Sequence, residues 1–374
     1  MKKNRLLLIL GLLLAVTFVL GACGTADEEE DTTGNNGDNT NTEDATDGGE
    51  ETDFSVAMVT DTGGVDDKSF NQSSWEGLQE FGEEYGLVEM EGYTYAQSES
   101  DADYSTNLNR LVQQDYDLIY GIGYLLADAV STVAEQNPDT NFGIVDSVID
   151  ADNVASITFK EHQGSFLVGV AAALKSESGK VGFVGGVDSD LIKKFESGYR
   201  AGVKSVDPSI EVSVQYAASF GDAAKGKAIA ASMYNSGVDV IYHASGATGN
   251  GVFAQAKDIK NNDPDASVWV IGVDRNQYEE GAIGDTNVTL TSMVKRVDVA
   301  VKSVSEQAMN GNFPGGEILE FGLADNGISV ADTNEEAYTE DIATVVEEWK
   351  QKLLDGEVEA PSTEEELEAY LETL

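Results

Sequence analysis

From residue 54 onward, short apolar runs alternate with stretches of helical period. The runs at 54–60, 92–96, 117–122, 142–146 and 154–159 read as strands, and 70–85, 103–114 and 126–136 read as helices. After "VASITF" the alternation starts again. It predicts helix 162–175, strand 180–185, helix 190–205, strand 210–216, helix 222–236, strand 238–243, helix 249–260 and strand 268–273. Strand and helix in regular turn predict parallel strands joined by crossover helices, so the fold class is α/β with two successive units. Two late segments, "NVTLTSMVKR" (287–296) and "GEILEFGLA" (316–324), read as extra strands. Strands that follow two complete units imply several chain crossings between two lobes, which is a hinge. Residues 335–374 read as acidic packing helices interrupted at Pro361-Ser362, with Ser362-Thr363-Glu364-Glu365 as the cap of the last one. A faint echo links the two units: Gly63-Gly64-Val65-Asp66 follows the first strand, and Gly185-Gly186-Val187-Asp188 follows the strand that begins at Lys180.

The chain before residue 54 has a different pattern. Lys2, Lys3 and Arg5 precede an almost unbroken apolar run at 6–20, and Leu20-Gly21-Ala22-Cys23 follows. This is a targeting segment with the form of a bacterial lipobox, in which Cys23 would be lipidated and become the mature N-terminus. Cys23 is the single cysteine, so no intramolecular disulfide forms. Acyl chains at Cys23 would hold the protein at a membrane surface by their buried methylenes. Residues 24–53 are acidic, rich in Gly, Asn and Thr, and lack Lys, Arg and β-branched aliphatics. Such a stretch cannot bury enough surface to order itself and reads as a disordered, self-repelling tether.

Charge narrows the partners. The 374 residues include 68 acidic and 22 basic side chains, a formal net charge of −46. That field repels polyanions, which excludes a nucleic-acid partner.

In open α/β sheets, ligands bind outside the carboxyl ends of the strands, so the residues following each strand are the candidates. They include Asp61 with Ser69-Phe70-Asn71-Gln72, Gly123-Tyr124, Asp146, Ser219-Phe220-Gly221-Asp222, the Gly-rich 244–251, Asp274-Arg275-Asn276-Gln277 and Lys295. Ser69 to Gln72 has S-x-x-Q capping-box spacing, and Ser219-Phe220 is a second Ser-Phe read at a helix start. A phenylalanine in a first helical turn projects toward the strand ends. Two of them, one per unit, suit either a clamp on a flat ring or a pair of hydrophobic staples. Asp66, Asp67 and Lys68 read as loop shaping. The segment "ASGATGNG" lacks the G-K-[ST] ending of a phosphate loop and reads as a tight turn or close backbone approach. His162 and His243 are the only histidines, and neither has a partner at metal-ligand spacing. No G-x-S-x-G and no Ser/His/Asp set is present. These residues therefore give no enzyme, no metal and no cofactor.

Taken in order, these stretches resemble the basic membrane protein family, the nucleoside-binding lipoproteins that serve as substrate-binding components of ABC transporters. The resemblance covers about 54–325 and the lipobox. It rests on D-x-G-G-x-x-D-K-S-F-N from Asp61 to Asn71, "FGIVDS" (142–147), "QGSFLVG" (163–169), "SFGD" (219–222), "GATGNG" (246–251), "VIGVDRNQ" (270–277) and "TSMVKRVD" (291–298). It implies a two-lobed periplasmic-binding-protein type I fold, with residues 54–159 plus about 295–325 in the first lobe and 160–294 plus about 326–374 in the second. It also implies a nucleoside of the inosine, guanosine or adenosine class between the lobes, with Phe70 and Phe220 sandwiching the base. Asp61 and Asn71 would read the base edge. Asp274, Lys295 and the Gly246 backbone would hold the ribose, and Asp146, at a matching strand end, would join the ligand site. The partners implied are an ABC permease and ATPase, and the location is the extracytoplasmic face of the cell membrane. A sugar-binding protein of the same fold, or a surface sensor lipoprotein without a transport role, uses the same kinds of residues and stands as the alternative.

Overall fold

The computed structural model describes residues 53–374. The targeting segment, Cys23 and the tether up to residue 52 lie outside the described residues.

The chain first lays down β1 (Val56–Val59), α1 (Phe70–Glu84), β2 (Tyr93–Ala96), α2 (Tyr104–Gln113), β3 (Leu118–Ile122), α3 (Ala127–Gln136), β4 (Asn141–Val145) and β5 (Val154–Phe159). It then builds α4 (Glu161–Lys175), β6 (Lys180–Gly185), α5 (Asp190–Val206), β7 (Glu211–Tyr216), α6 (Ala223–Asn235), β8 (Val240–Ala244), α7 (Gly249–Asn262) and β9 (Trp269–Asp274). A small hairpin of β10 (Ala282–Ile283) and β11 (Thr286–Asn287) leads into β12 (Thr289–Lys295). Last come α8 (Val297–Met309), β13 (Ile318–Phe321), β14 (Ile328–Val330), α9 (Glu340–Leu354) and α10 (Glu364–Leu371).

Two six-stranded sheets result, in the orders β13-β5-β4-β3-β1-β2 and β14-β12-β9-β8-β6-β7. All neighbours are parallel except β12 and β14. Every residue of β1, β3 and β8 is buried, as expected for parallel strands covered on both faces by helices. The chain passes between the sheets three times: after β5, after β12, and between β13 and β14. Helix α8 returns to the first sheet, where the Tyr120 hydroxyl donates to the Val301 carbonyl at 3.0 Å. Helices α4 and α5 cross closely because a Cβ at Gly202 would fall onto the Phe166 carbonyl.

Some boundaries differ from expectation. The extra strand expected at 316–324 is β13 alone, and β14 follows it as a separate antiparallel edge. The cap of α10 is Thr363, whose capping box closes with Glu366.

Candidate ligand site between the two sheets

The carboxyl ends of both sheets face one cavity of about 530 Å3, counting its mouth. Asp61, Phe70, Asn71, Asp146, Phe220, Gly246, Asp274 and Lys295 all line it. The first sheet supplies Asp61 after β1, Phe70 and Asn71 at the start of α1, Gly123 and Tyr124 after β3, and Asp146 after β4. The second supplies Leu191, Ile192 and Phe195 from α5, Phe220 ahead of α6, Ser245 and Gly246 after β8, Asp274 at the end of β9 and Lys295 at the end of β12.

Asp61 and Asn71 form one unit. The Asn71 side-chain amide donates to Asp61 Oδ1 at 2.7 Å, and its oxygen accepts the Asp61 backbone amide at 3.1 Å. The Gly63 amide adds a bond to Asp61 Oδ1 at 2.8 Å. Burial raises the Asp61 pKa, and the bonds from Asn71 and Gly63 oppose the rise.

The capping box expected from Ser69 to Gln72 does not form, since Ser69 makes no side-chain cap bond. Asp67 does the work instead. Its carboxylate accepts the amides of Ser69 and Asn71 at 2.8 Å each and that of Gln72 at 3.1 Å. A carboxylate here satisfies orphan donors and suits the positive end of the helix dipole. Asp67 is thus more than the loop shaping expected of it: it is buried, lines the cavity, and burial pushes it up to about 6.

Phe220 also differs in context. Helix α6 begins at Ala223 with Asp222 as its cap, so Ser219-Phe220 precedes the helix rather than opening it. The Phe220 ring packs where a Gly186 Cβ would sit, and Tyr124 meets it edge-on with centroids 6.3 Å apart. Gly246 has φ +54, and a Cβ there would lie 3.2 Å from the Phe220 carbonyl oxygen, so a backbone turn here approaches Phe220 closely.

Lys295 lies at the bottom of the charge network. Its ammonium donates to Asp146 at 2.6 Å and lies 3.5 Å from Glu161, with side-chain exposures of 1%, 5% and 0% for the three residues. It also sits 4.8 Å from the Phe70 ring centroid and 5.1 Å from that of Phe159. Burial alone would lower the Lys295 pKa; Asp146, Glu161 and Asp274 outweigh it and keep the lysine charged. Burial pushes Asp274 up to about 6, with Lys295 and a Ser69 hydrogen bond opposing. Asp146 binds Lys295 through Oδ2, while its Oδ1 is buried with no hydrogen-bond partner among the described residues. That orphan acceptor is what a ligand hydroxyl would satisfy. Asp146 and Asp274 end corresponding strands, β4 and β9, and both have φ +65, an uncommon backbone state that clusters at functional sites.

Sequence reasoning named Tyr124 after its strand without giving it a role, read Asp67 as loop shaping, and passed over Leu191, Ile192 and Phe195. Tyr124 had the same signal as the others, a place just after a strand. The α5 residues had none, because their apolar spacing is that of any core-facing helix.

Residues 54–364 match the family described as ABC transporter substrate-binding protein PnrA-like. A Listeria innocua protein named CD4+ T-cell-stimulating antigen is 50% identical over 368 residues, 96% of this chain and 99% of its own. The Lactococcus lactis ABC transporter nucleoside-binding protein BmpA is 44% identical over 367 residues, again 96% and 99% of the two chains. Among solved structures, a solute-binding protein of an ABC transporter system from Aeropyrum pernix K1 superposes with a TM-score of 0.75. It is 27% identical and matches 85% of this chain and 99% of its own.

Proposed function

Because this chain belongs to the PnrA-like family of ABC transporter substrate-binding proteins, we propose that it captures a nucleoside, of the purine class, between two lobes and delivers it to an ABC importer. Its family and relatives are substrate-binding proteins rather than enzymes, and its fold is that of the type I solute-binding proteins. In this reading the lobes are residues 54–159 with about 295–325 and residues 160–294 with about 326–374. Cys23 carries the lipid that holds the protein at the extracytoplasmic face of the membrane. Loss of membrane association on Cys23→Ser is the check on that anchor.

One observation carries the ligand class. The cavity takes Phe70 from the first sheet's side and Phe195 and Phe220 from the second's, and surrounds them with buried acceptors at Asp61, Asp146 and Asp274. A purine base offers two π faces to the rings and edge donors to Asp61. Its ribose offers hydroxyl donors to Asp146 and Asp274. Stacking is worth about 1–3 kcal/mol per base.

The same charges argue against nucleotides. Asp61, Asp67, Asp146 and Asp274 line the cavity, and its lysine is already paired with Asp146 and Glu161. A phosphate entering there meets buried negative charge without a free cation. Calorimetry with inosine, guanosine, their monophosphates and free pentoses tests both statements. Nucleosides are expected to bind and monophosphates to bind far more weakly. Binding of a pentose but of no nucleoside overturns the ligand class, and equal monophosphate binding overturns the selectivity.

A further inference from the structure

The two lobes start their first crossover helices differently. In the second lobe, residues 186–189 connect β6 to α5, and Ser189 is an ordinary N-cap whose hydroxyl oxygen accepts the Ile192 amide at 3.4 Å. In the first lobe, the longer connection 60–69 joins β1 to α1, and Ser69 stands at the corresponding N-cap position. Asp67 has taken over the helix amides there. The Ser69 hydroxyl is thereby released from capping. It is fully buried and donates across the cleft to Asp274 Oδ2 at 2.5 Å.

The turn that holds Ser69 is gripped from the second lobe at two more points, and the helix after it at a third. Gln277 Nε2 donates to the Lys68 carbonyl at 2.9 Å, and Asn250 Nδ2 donates to the Asp67 carbonyl at 3.1 Å. Lys68 has φ +63, which turns its carbonyl out of the strand-to-helix path. The Arg275 guanidinium forks onto Glu76 of α1 with bonds of 2.8 and 2.6 Å. All of these bonds join the two lobes, so they exist only when the lobes are together. The Ser69 bond alone ends on a cavity-lining carboxylate.

We propose that Ser69 is a positioning residue that couples lobe closure to ligand affinity by fixing the Asp274 carboxylate only in the closed state. A carboxylate free to rotate in the open state offers a ligand hydroxyl an acceptor of no set direction. Held at Oδ2 by Ser69, it presents Oδ1 in one direction. The ligand and the opposite lobe then stabilise the same Asp274 rotamer, which is a coupling free energy between closure and binding. This inference rests on the reading of the cleft as the ligand site and of Asp274 as a ligand acceptor.

The test is stopped-flow binding of inosine to the full chain and to Ser69→Ala and Ser69→Thr. The hydrogen bond forms after encounter, so its loss acts on release. For a bond to a charged group, release is expected to quicken about tenfold in Ser69→Ala, with the association rate unchanged within about twofold. The melting temperature of the ligand-free protein is expected to hold within about 1 °C, because the open state lacks the bond. Threonine keeps the hydroxyl and is expected to restore slow release. A wild-type release rate in Ser69→Ala overturns the proposal, and so does a slowing of association alone. If the wild-type protein binds no inosine, the nucleoside reading has failed by itself. The same rates are then read with D-ribose as the ligand: a wild-type release rate in Ser69→Ala overturns the proposal, and so does binding of neither ligand.

Discussion

The two lobes have matching strand orders but lend the cavity unlike chemistry. Strands β2-β1-β3-β4-β5 of the first sheet correspond to β7-β6-β8-β9-β12 of the second, each with one late strand added beyond β5 or β12. The rim of the first carries Asp61, Asp67, Asp146 and the amide of Asn71, with Phe70 and Tyr124 among them. The rim of the second carries Leu191, Ile192, Phe195 and Phe220, with Asp274 and Lys295 as its ionisable groups. A repeated scaffold has thus become a polar jaw and a mainly apolar jaw. A ligand with hydrogen-bond donors on its edges and flat apolar faces would touch both. The short echo Gly-Gly-Val-Asp marks the first crossover connection of each lobe, yet those connections have diverged most. One is a plain capped helix start, and the other is a lengthened turn clasped by the opposite lobe.

The charges that cross between the jaws give the largest expected effect. Lys295 belongs to the second sheet and Asp146 to the first, and both are buried with Glu161. Replacing Lys295 by Met leaves Asp146 with no paired cation and Glu161 with only the partly exposed Lys194, 3.3 Å away. Stability to urea is expected to fall by about 3–5 kcal/mol, the cost of breaking a buried pair by removing one partner. A loss under about 1 kcal/mol would mean that the pair is solvated.

The aromatic contributions of the two jaws come next. Phe70→Ala and Phe220→Ala are each expected to weaken inosine binding by about 1–3 kcal/mol in calorimetry. Both side chains are only half-buried, so the ligand-free fold should lose little stability. An effect from one and none from the other would show that the stack is one-sided.

Helix starts give a smaller and more direct contrast. Asp67→Ala removes the acceptor for three amides and is expected to cost about 2 kcal/mol of ligand-free stability, the upper end for a cap. Ser189→Ala removes one longer bond and is expected to cost about 0.5–1 kcal/mol. Equal losses would erase the distinction between the two turns.

Last is pH. Burial lifts Asp274 to about 6 from its ordinary 3.8. A ligand hydroxyl needs the ionised form as acceptor, and that form predominates above about 6 and is lost as pH falls through it. Inosine affinity is therefore expected to drop between about pH 6.5 and 5, by at most about tenfold per pH unit for one group. Asp274→Asn, weaker throughout, is expected to lose that part of the dependence. A profile unchanged by the substitution would remove Asp274 from the titration.

Much of this arrangement could be read from the chain. The alternation of apolar runs and helical periods is a local signal, and a strand's carboxyl end is adjacent in sequence to the loop that follows it. Naming the residues after each strand therefore named residues that share one rim, and Asp61, Phe70, Asn71, Asp146, Phe220, Gly246, Asp274 and Lys295 all line the cavity. The cap of α1 was misread because Ser69 and Asp67 are both suitable acceptors within three residues of the helix. The choice depends on whether the serine has a better partner elsewhere. That partner, Asp274, lies 205 positions away. The lining residues Leu191, Ile192 and Phe195 were invisible for a related reason. A helix face that meets a cavity and one that meets a core have the same apolar period.

Hydrophobic periodicity and turn chemistry by themselves determine the two α/β units and their strand ends, because each depends on residues a few positions apart. Only the tertiary structure decides that β13 joins the first sheet and β14 the second, that Lys295 crosses to Asp146, and that Ser69 bonds Asp274 rather than its own helix. Each of those depends on which partner comes within about 3 Å once the chain has crossed between the lobes. No local pattern encodes that distance.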